Sequence, residues 1–369
     1  MQLIKARTIY MNRTSNFELL RLILMLLIVI HHCIVVGLGL EGLSPKYDCE
    51  IIAKREDIPL LLLINSFCIV AVNVFVLLSG YFSIKVKLNK VLSLLFAIFF
   101  YTVLFTTLPL IFQNDIKMGL IKLEPFANQP NYWFMREYFI LMLFSPLVND
   151  AIQNYSKRSI MLFLTGLIFL SCYLGFVNGC SVNQNGYNFV NFILLYTTGG
   201  FLRRYPIMFS KRIVFGGTYA ALSLITAFMC IFCYSREAYG MAWKLTYYNN
   251  PLVILASLAL FLFFHSIKLQ SMHINNIAKS SLSIYLFGCA TIILQFTSDI
   301  TKSLYLKLDD QHTGLFVLAL LGISLGTAVL AIIIDQARLF IWNKIGNTTT
   351  TSIRIMFQTI NSKILGNEK

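Results

Sequence analysis

Ten long apolar runs separated by polar loops organise this chain: residues 17–40, 58–82, 91–112, 132–150, 160–177, 187–202, 213–234, 251–267, 281–298 and 314–342. A helix needs about 20 residues to cross the hydrocarbon of a bilayer, and a tilted strand about half that. The run lengths therefore predict an all-α polytopic membrane protein, a bundle of about ten transmembrane helices. The shorter runs read as tilted or pushed inward, and the last as extending past the interface. The longest outer loops, 41–57, 113–131, 235–250 and 299–313, are each too short to fold as a soluble domain.

Composition agrees with the pattern. Of 369 residues, 57% are hydrophobic and 12% charged, and the mean hydropathy of +0.71 excludes an ordinary soluble domain. The net charge of +14 would suit nucleic acid, but its distribution points elsewhere. With the N-terminal segment and every second loop placed in the cytoplasm, 20 of the 30 Lys and Arg residues lie inside, while 11 of the 16 acidic residues lie outside. This is the positive-inside pattern. It predicts both termini in the cytoplasm and an even number of crossings, with the lipid bilayer rather than nucleic acid as partner. Anionic lipid or ligand phosphate is a second use for the inner cations.

The basic N-terminal flank resembles that of a signal peptide, but the apolar region is too long and no small-residue cleavage site follows, so a retained first helix is expected. Residues 1–342 form the membrane domain and 343–369 a short cytoplasmic tail. Within the tail, Asn347–Ser352 is a polar tract, and Ile353–Leu365 suits a separate amphipathic helix on the inner surface. No strong internal repeat, nucleotide-binding loop or HExxH motif is visible. The eight cysteines lack metal-ligand spacing. Six lie in apolar runs as packing residues, while Cys49 and Cys180 fall in outer loops, where a disulfide is possible.

Chemistry concentrates in the first run. Glu18 and Arg21 stand near its inner end, and His31 and His32 lie deep within it. Ionisable groups inside hydrocarbon are expensive and mark functional sites. Eleven residues separate Arg21 from His32, which is about three helical turns and about 16 Å, so both project from nearly one face. A neutral imidazole at His32 can accept a proton, or it can bond a neighbouring helix. His31 is rotated about 100° away and reads as packing or support. Arg21 reads either as a snorkelling anchor or as a guanidinium for phosphate or carboxylate. Glu18, three residues earlier, can pair with it.

Further along, Asn73 and Ser79-Gly80 lie in the second run, where Gly80 permits close backbone approach, and Lys85, Lys87 and Lys90 follow inside. Two readings stand for this region: packing plus topology, or a cytoplasmic anion site. Tyr132 and Trp133 suit an interfacial aromatic belt, and Arg136 and Glu137 lie deep in the same run. Arg203-Arg204 with Lys211-Arg212 reads first as a topology determinant and second as a phosphate site.

Asn16-x-Glu-Leu-Leu-Arg21 followed after ten residues by His32 resembles the signature of the acyltransferase-3 family. Phe75-x-x-x-Ser79-Gly80-Tyr81-Phe82 resembles its second-helix motif, and Tyr132-Trp133-Phe134 with Pro146 its central helix. Tyr196-x-x-Gly199 before Arg203-Arg204, and Ser280-x-x-x-Ile284-Tyr285-Leu286, resemble later helices. The likeness covers nearly the whole chain and is nearest to members associated with bacterial surface polysaccharides. The family often has a histidine soon after Ile-Tyr-Leu, where this chain has Phe287-Gly288-Cys289.

The resemblance implies transfer of an acetyl group from acetyl-CoA to a hydroxyl of a carbohydrate or lipid-linked saccharide, in a bacterial inner membrane, with no permanently bound cofactor. It implies His32 as general base or acyl relay with Arg21 beside it. Arg21, Lys85, Lys90, Arg203 and Arg204 would serve the donor's phosphates. Glu18, Asn73, Ser79, Tyr132, Trp133, Arg136 and Glu137 would face the substrate. The alternatives are a transporter or flippase for a lipid-linked sugar, and a non-catalytic partner in polysaccharide assembly.

Overall fold

Unbroken apolar sequence in a medium without water forces the backbone to satisfy its own hydrogen bonds, and helices do this segment by segment. The computed structural model describes residues 14–40, 56–107, 110–111, 132–183, 185–207, 211–308 and 312–365, the side chains of Thr106, Asn347 and 353–365 excepted. Among them no strand occurs. The helices are α1 Ser15–Val35, α2 Ile58–Cys68, α3 Ala71–Phe82, α4 Leu88–Thr102, α5 Trp133–Asn154, α6 Lys157–Ile168, α7 Phe189–Arg204, α8 Arg212–Ser235, α9 Tyr239–Lys244, α10 Pro251–His265, α11 Met272–Ile277, α12 Ser281–Gly288, α13 Thr291–Lys307 and α14 Thr313–Leu365. Wide π turns continue α4 over Val103–Thr107 and α6 over Phe169–Val177.

Each of the ten apolar runs holds helix in its described part, but fewer meet the length and composition of a crossing. Six do: α1, Ile58–Phe82, Leu88–Phe105, Lys157–Val177, α8 and the first 40 residues of α14. α5 is long enough at 22 residues, yet it carries Arg136, Glu137 and Asp150. α7 and α10 have only 16 and 15 residues.

Two expectations are corrected. The run 281–298 is not one straight span. Met272–Gly288 and Thr291–Lys307 meet at 77°, because Ala290 takes an extended conformation (ψ 134°) that ends one helix and caps the next. The pair is therefore a broken span or a re-entrant loop. Nor is there a separate surface helix at 353–365, since α14 runs on for 53 residues. The polar tract does not break it. Thr349 and Thr350 donate back to the carbonyls of Ile345 and Gly346, which lets threonine hydroxyls stay inside a helix. Cys49 lies outside the described residues.

Burial sorts the helices. The apolar windows of α1 and of Ile58–Phe82 are 61% and 72% buried, against 22–28% for α4, α6, α8 and α14. The first three helices, with the largely buried α7 and α12, therefore form the centre, and α4, α6, α8 and α14 present apolar faces outward. The tightest crossing is α3 on α7. A Cβ added at Gly80 would strike the Tyr196 carbonyl, and one at Gly199 would strike the Leu77 carbonyl and the Tyr81 amide. Backbone-to-backbone approach of this kind is what small residues allow between membrane helices, and the Ser79-Gly80 sequence anticipates it. Asn73 and Asn191 bond across the same pair. Asn73 also donates to the Tyr248 carbonyl at 2.8 Å, fixing the loop before α10.

Candidate functional site

α1 carries the chemistry at two depths. Near its start, Arg21 Nη1 donates to Glu18 Oε1 at 2.8 Å, as the three-residue spacing predicts. The guanidinium lies over the Phe82 ring, 5.5 Å from its centroid. Asn16 ties this end to α10 by donating to the Phe264 carbonyl. Ser79 meets the Tyr138 hydroxyl at 3.2 Å.

Deeper in, the two adjacent histidines have separate anchors. His31 Nδ1 is 2.6 Å from Asn65 Oδ1. A neutral imidazole facing a carbonyl oxygen must donate, so His31 holds α1 to α2. His32 Nδ1 lies instead 3.7 Å from Cys289 Sγ. The two rings are 5.6 Å apart and border a small cavity of about 20 Å³, walled by Ile28, Cys68, Trp133, Tyr248 and Tyr285 among others. Trp133 stacks on Tyr248 with centroids 5.8 Å apart.

An aromatic wall joins the two depths. Tyr138 stacks on Phe134, and Phe134 packs edge-on against Tyr285 at the His32 cavity. The α5 helix thus runs antiparallel to α1, with Trp133 beside His32 and Tyr138 toward the Arg21 end.

A second cavity, of about 390 Å³, opens between α4, α12 and α14. Lys90, Lys279 and Arg338 supply its cations, with Asn89, Ser93, Ser283, Asp335 and Trp342 beside them. Arg338 donates twice to the buried Asp335, at 2.5 and 3.0 Å, and the Tyr101 hydroxyl adds a third bond to that carboxylate. Asp335 thereby balances Arg338, while Lys279 donates to Asn276 Oδ1 at 3.1 Å. Its floor includes Leu286, whose carbonyl accepts from Tyr132 at 2.7 Å.

The remaining sequence candidates sort by geometry. Arg203 donates to the Tyr81 carbonyl. Arg204 donates to the carbonyls of Ile152 and Tyr155, closing the C-terminus of α5. Lys85 is exposed and does not line the basic cavity. Glu137 is buried and pairs with the exposed Arg136 at 3.2 Å. Asn73 reaches the site through Tyr248. Asn65, Tyr248, Tyr285 and Cys289 at His32, and Lys279, Asp335 and Arg338 in the basic cavity, were not singled out by sequence as site residues. Local signals existed in the Asn within an apolar run, the Tyr247-Tyr-Asn-Asn-Pro251 loop, the Ile284-Tyr285-Leu286 motif and the Phe287-Gly288-Cys289 segment after it. Among the described residues no cluster of three metal-ligating side chains exists.

A family model described as an acyltransferase domain matches residues 14–335, spanning both depths of α1, the His32 cavity and the basic cavity except Arg338 and Trp342, which lie beyond the match. No curated protein and no solved structure matches the chain.

Proposed function

The chain belongs to the acyltransferase-3 family and is a multi-pass membrane protein, and on that premise we propose that it is an O-acetyltransferase of a bacterial inner membrane. It takes acetyl from cytoplasmic acetyl-CoA and gives it to a hydroxyl of a surface polysaccharide or its lipid-linked precursor. The positive-inside charge pattern supports cytoplasmic termini, which puts Arg21, Lys90, Lys279 and Arg338 on the donor's side.

One observation carries the reading. Cys289 touches His32, while Lys279, ten residues earlier, lines the basic cavity. Those ten residues rise about 15 Å, nearly matching the rise of about 16 Å from Arg21 to His32 on α1. Two neighbouring segments thus connect an inner cationic surface to one imidazole in the membrane. A donor with a phosphate-rich head and a slender thioester arm has the matching shape and charge. Its phosphates dock against Lys90, Lys279 and Arg338, and its arm runs outward beside α12. Arg21, held by Glu18 on Phe82, supplies a further cation at the inner end of the aromatic wall.

At the thioester, His32 accepts the proton of the acceptor hydroxyl as the oxygen attacks the carbonyl carbon. The carbon–sulfur bond breaks, and the departing CoA thiolate takes the proton back from His32. A base so placed contributes about 10²–10⁴-fold. Trp133, Tyr248 and Tyr285 keep bulk water from the thioester, which suppresses hydrolysis.

The test is the O-acetyl content of the cell-surface polysaccharide by mass spectrometry, in cells carrying the wild-type chain, His32→Ala or no gene, with protein levels matched. Loss of acetylation in both altered strains supports the reading, and acetyl recovered on His32 makes it a relay rather than a base. Unchanged acetylation with a fall in polysaccharide amount refutes it and favours transport or assembly.

A further inference from the structure

The acyltransferase reading requires one nitrogen of His32 to carry a lone pair toward the acceptor, but it does not say what selects that nitrogen. A neutral imidazole has one N–H and one lone pair, and the partner of one nitrogen decides the role of the other. His31 shows the rule alongside, with Nδ1 against an amide oxygen. The His32 ring meets the Cys289 sulfur, 3.7 Å from Nδ1, and the Tyr285 side chain hydrogen-bonds to the same sulfur.

Cys289 reaches this place through the break in the chain. α12 ends at Gly288, and the Cys289 and Ala290 amides donate to the carbonyls of Tyr285 and Phe287 in a closing turn. Gly288 sits where a Cβ would touch Val29 of α1 and Thr327 of α14. The end of α12 is thus seated on α1 one turn before His32. A straight helix through 289–290 would carry the chain past this contact, whereas the 77° bend leaves Cys289 buried at the corner.

We propose that Cys289 is a positioning residue: its sulfur, oriented by Tyr285, accepts the Nδ1 hydrogen of His32 and leaves Nε2 as the atom that takes the acceptor's proton. This rests on the acyltransferase reading for its purpose but not for its geometry. The sulfur forms no bond to carbon and changes no oxidation state. Serine is a shorter acceptor of the same kind, and alanine is none.

Activity is read in membranes that contain the protein and the cell's own polysaccharide, with acetyl-CoA as probe and release of free CoA as the readout, and the purified protein in lipid nanodiscs serves for spectroscopy. In parallel, nitrogen-15 NMR of labelled histidine reads the His32 tautomer without any turnover. Wild type should show the Nδ1–H form. Cys289→Ala should show a mixture of tautomers and a kcat lower by about 10-fold, the lower end of what a ligand-orienting partner contributes in other sites, with KM for acetyl-CoA within twofold. Cys289→Ser should recover most of both. Size-exclusion and thermal-unfolding profiles matching wild type show that the variants fold.

An unchanged tautomer in Cys289→Ala overturns the proposal. So does acetyl trapped on Cys289 and released by hydroxylamine, because the sulfur would then be a nucleophile. No CoA release by wild type, with the tautomer shift intact, would refute the acyltransferase reading and leave the positioning contact standing.

Discussion

Glycine-to-alanine substitution should have opposite signs at two positions of this bundle, and the difference tests the packing that holds the site. Gly199 lies on α7 where an added methyl meets the Leu77 carbonyl and the Tyr81 amide, the latter at 2.8 Å. Both obstacles are backbone of α3, so no side chain can rotate aside and the helices must part. Overpacking of this kind costs about 1–3 kcal/mol, and rigid surroundings put it at the upper end. Alanine recovers up to about 1 kcal/mol of helix propensity, so the net loss for Gly199→Ala is about 2 kcal/mol. Gly217 on α8 has no atom within 4 Å of an added Cβ. Only the propensity gain remains there, so Gly217→Ala should be neutral or stabilising by up to about 1 kcal/mol. The assay is thermal unfolding of both variants in one detergent, followed by intrinsic fluorescence, with O-acetylation measured in cells. The same crossing carries the Asn73–Asn191 bond, and Asn73 holds Tyr248 at the His32 cavity. Gly199→Ala should therefore lose activity at temperatures where it is still folded. A Gly199→Ala protein as stable as Gly217→Ala would refute the close-approach account.

Two further predictions separate binding from scaffolding. Lys90→Ala and Lys279→Ala should raise KM for acetyl-CoA about 10-fold each with kcat little changed, by removing one charge-assisted phosphate contact apiece. Arg204→Ala should leave KM alone and lower the unfolding temperature, because its guanidinium closes the α5 terminus; a KM effect from Arg204 alone would reverse the assignment. Asn65→Leu leaves the buried His31 Nδ1 hydrogen without its acceptor and should cost about 1–3 kcal/mol, read by thermal unfolding, whereas no loss would show that His31 finds another partner.

Local signals in the sequence reached local structure. Run lengths located the helices, the Glu18-x-x-Arg21 spacing produced an ion pair, and Ser79-Gly80 marked a close crossing. Threonine misled at 347–352, where a polar tract reads as a break but its hydroxyls bond within the helix. Hydropathy also read 281–298 as one crossing, since the residues at the bend, Cys289 and Ala290, are themselves apolar. The partners of the two histidines lay beyond reach for a different reason. Asn65 and Cys289 are 34 and 257 positions away from them, and no periodicity within one helix reports which face of another it meets. The charge pattern read Lys279 and Arg338 only as inner charges, and that they share a cavity with Lys90 depends on how α4, α12 and α14 pack.

That distribution of long-range partners bears on the chemistry. Under the proposed acetyl transfer, a donor entering at the Arg21 end and an imidazole about 16 Å further along α1 can meet only along a path built from more than one helix. The proposed path is marked along α1 by Arg21 and His32, by Lys279 just before α12 and by Cys289 just after it, and α5 lines it with Tyr138, Phe134 and Trp133. A continuous helix at 281–298 could mark the inner end or touch His32 but would then carry its outer half through the same space. Bending the chain at Cys289-Ala290 ends α12 at the depth of the imidazole and turns α13 aside. On the proposed chemistry, the bend would set where the donor's arm stops, so the turn at Gly288–Ala290, rather than either helix beside it, is the structural element on which the placement of the thioester would depend.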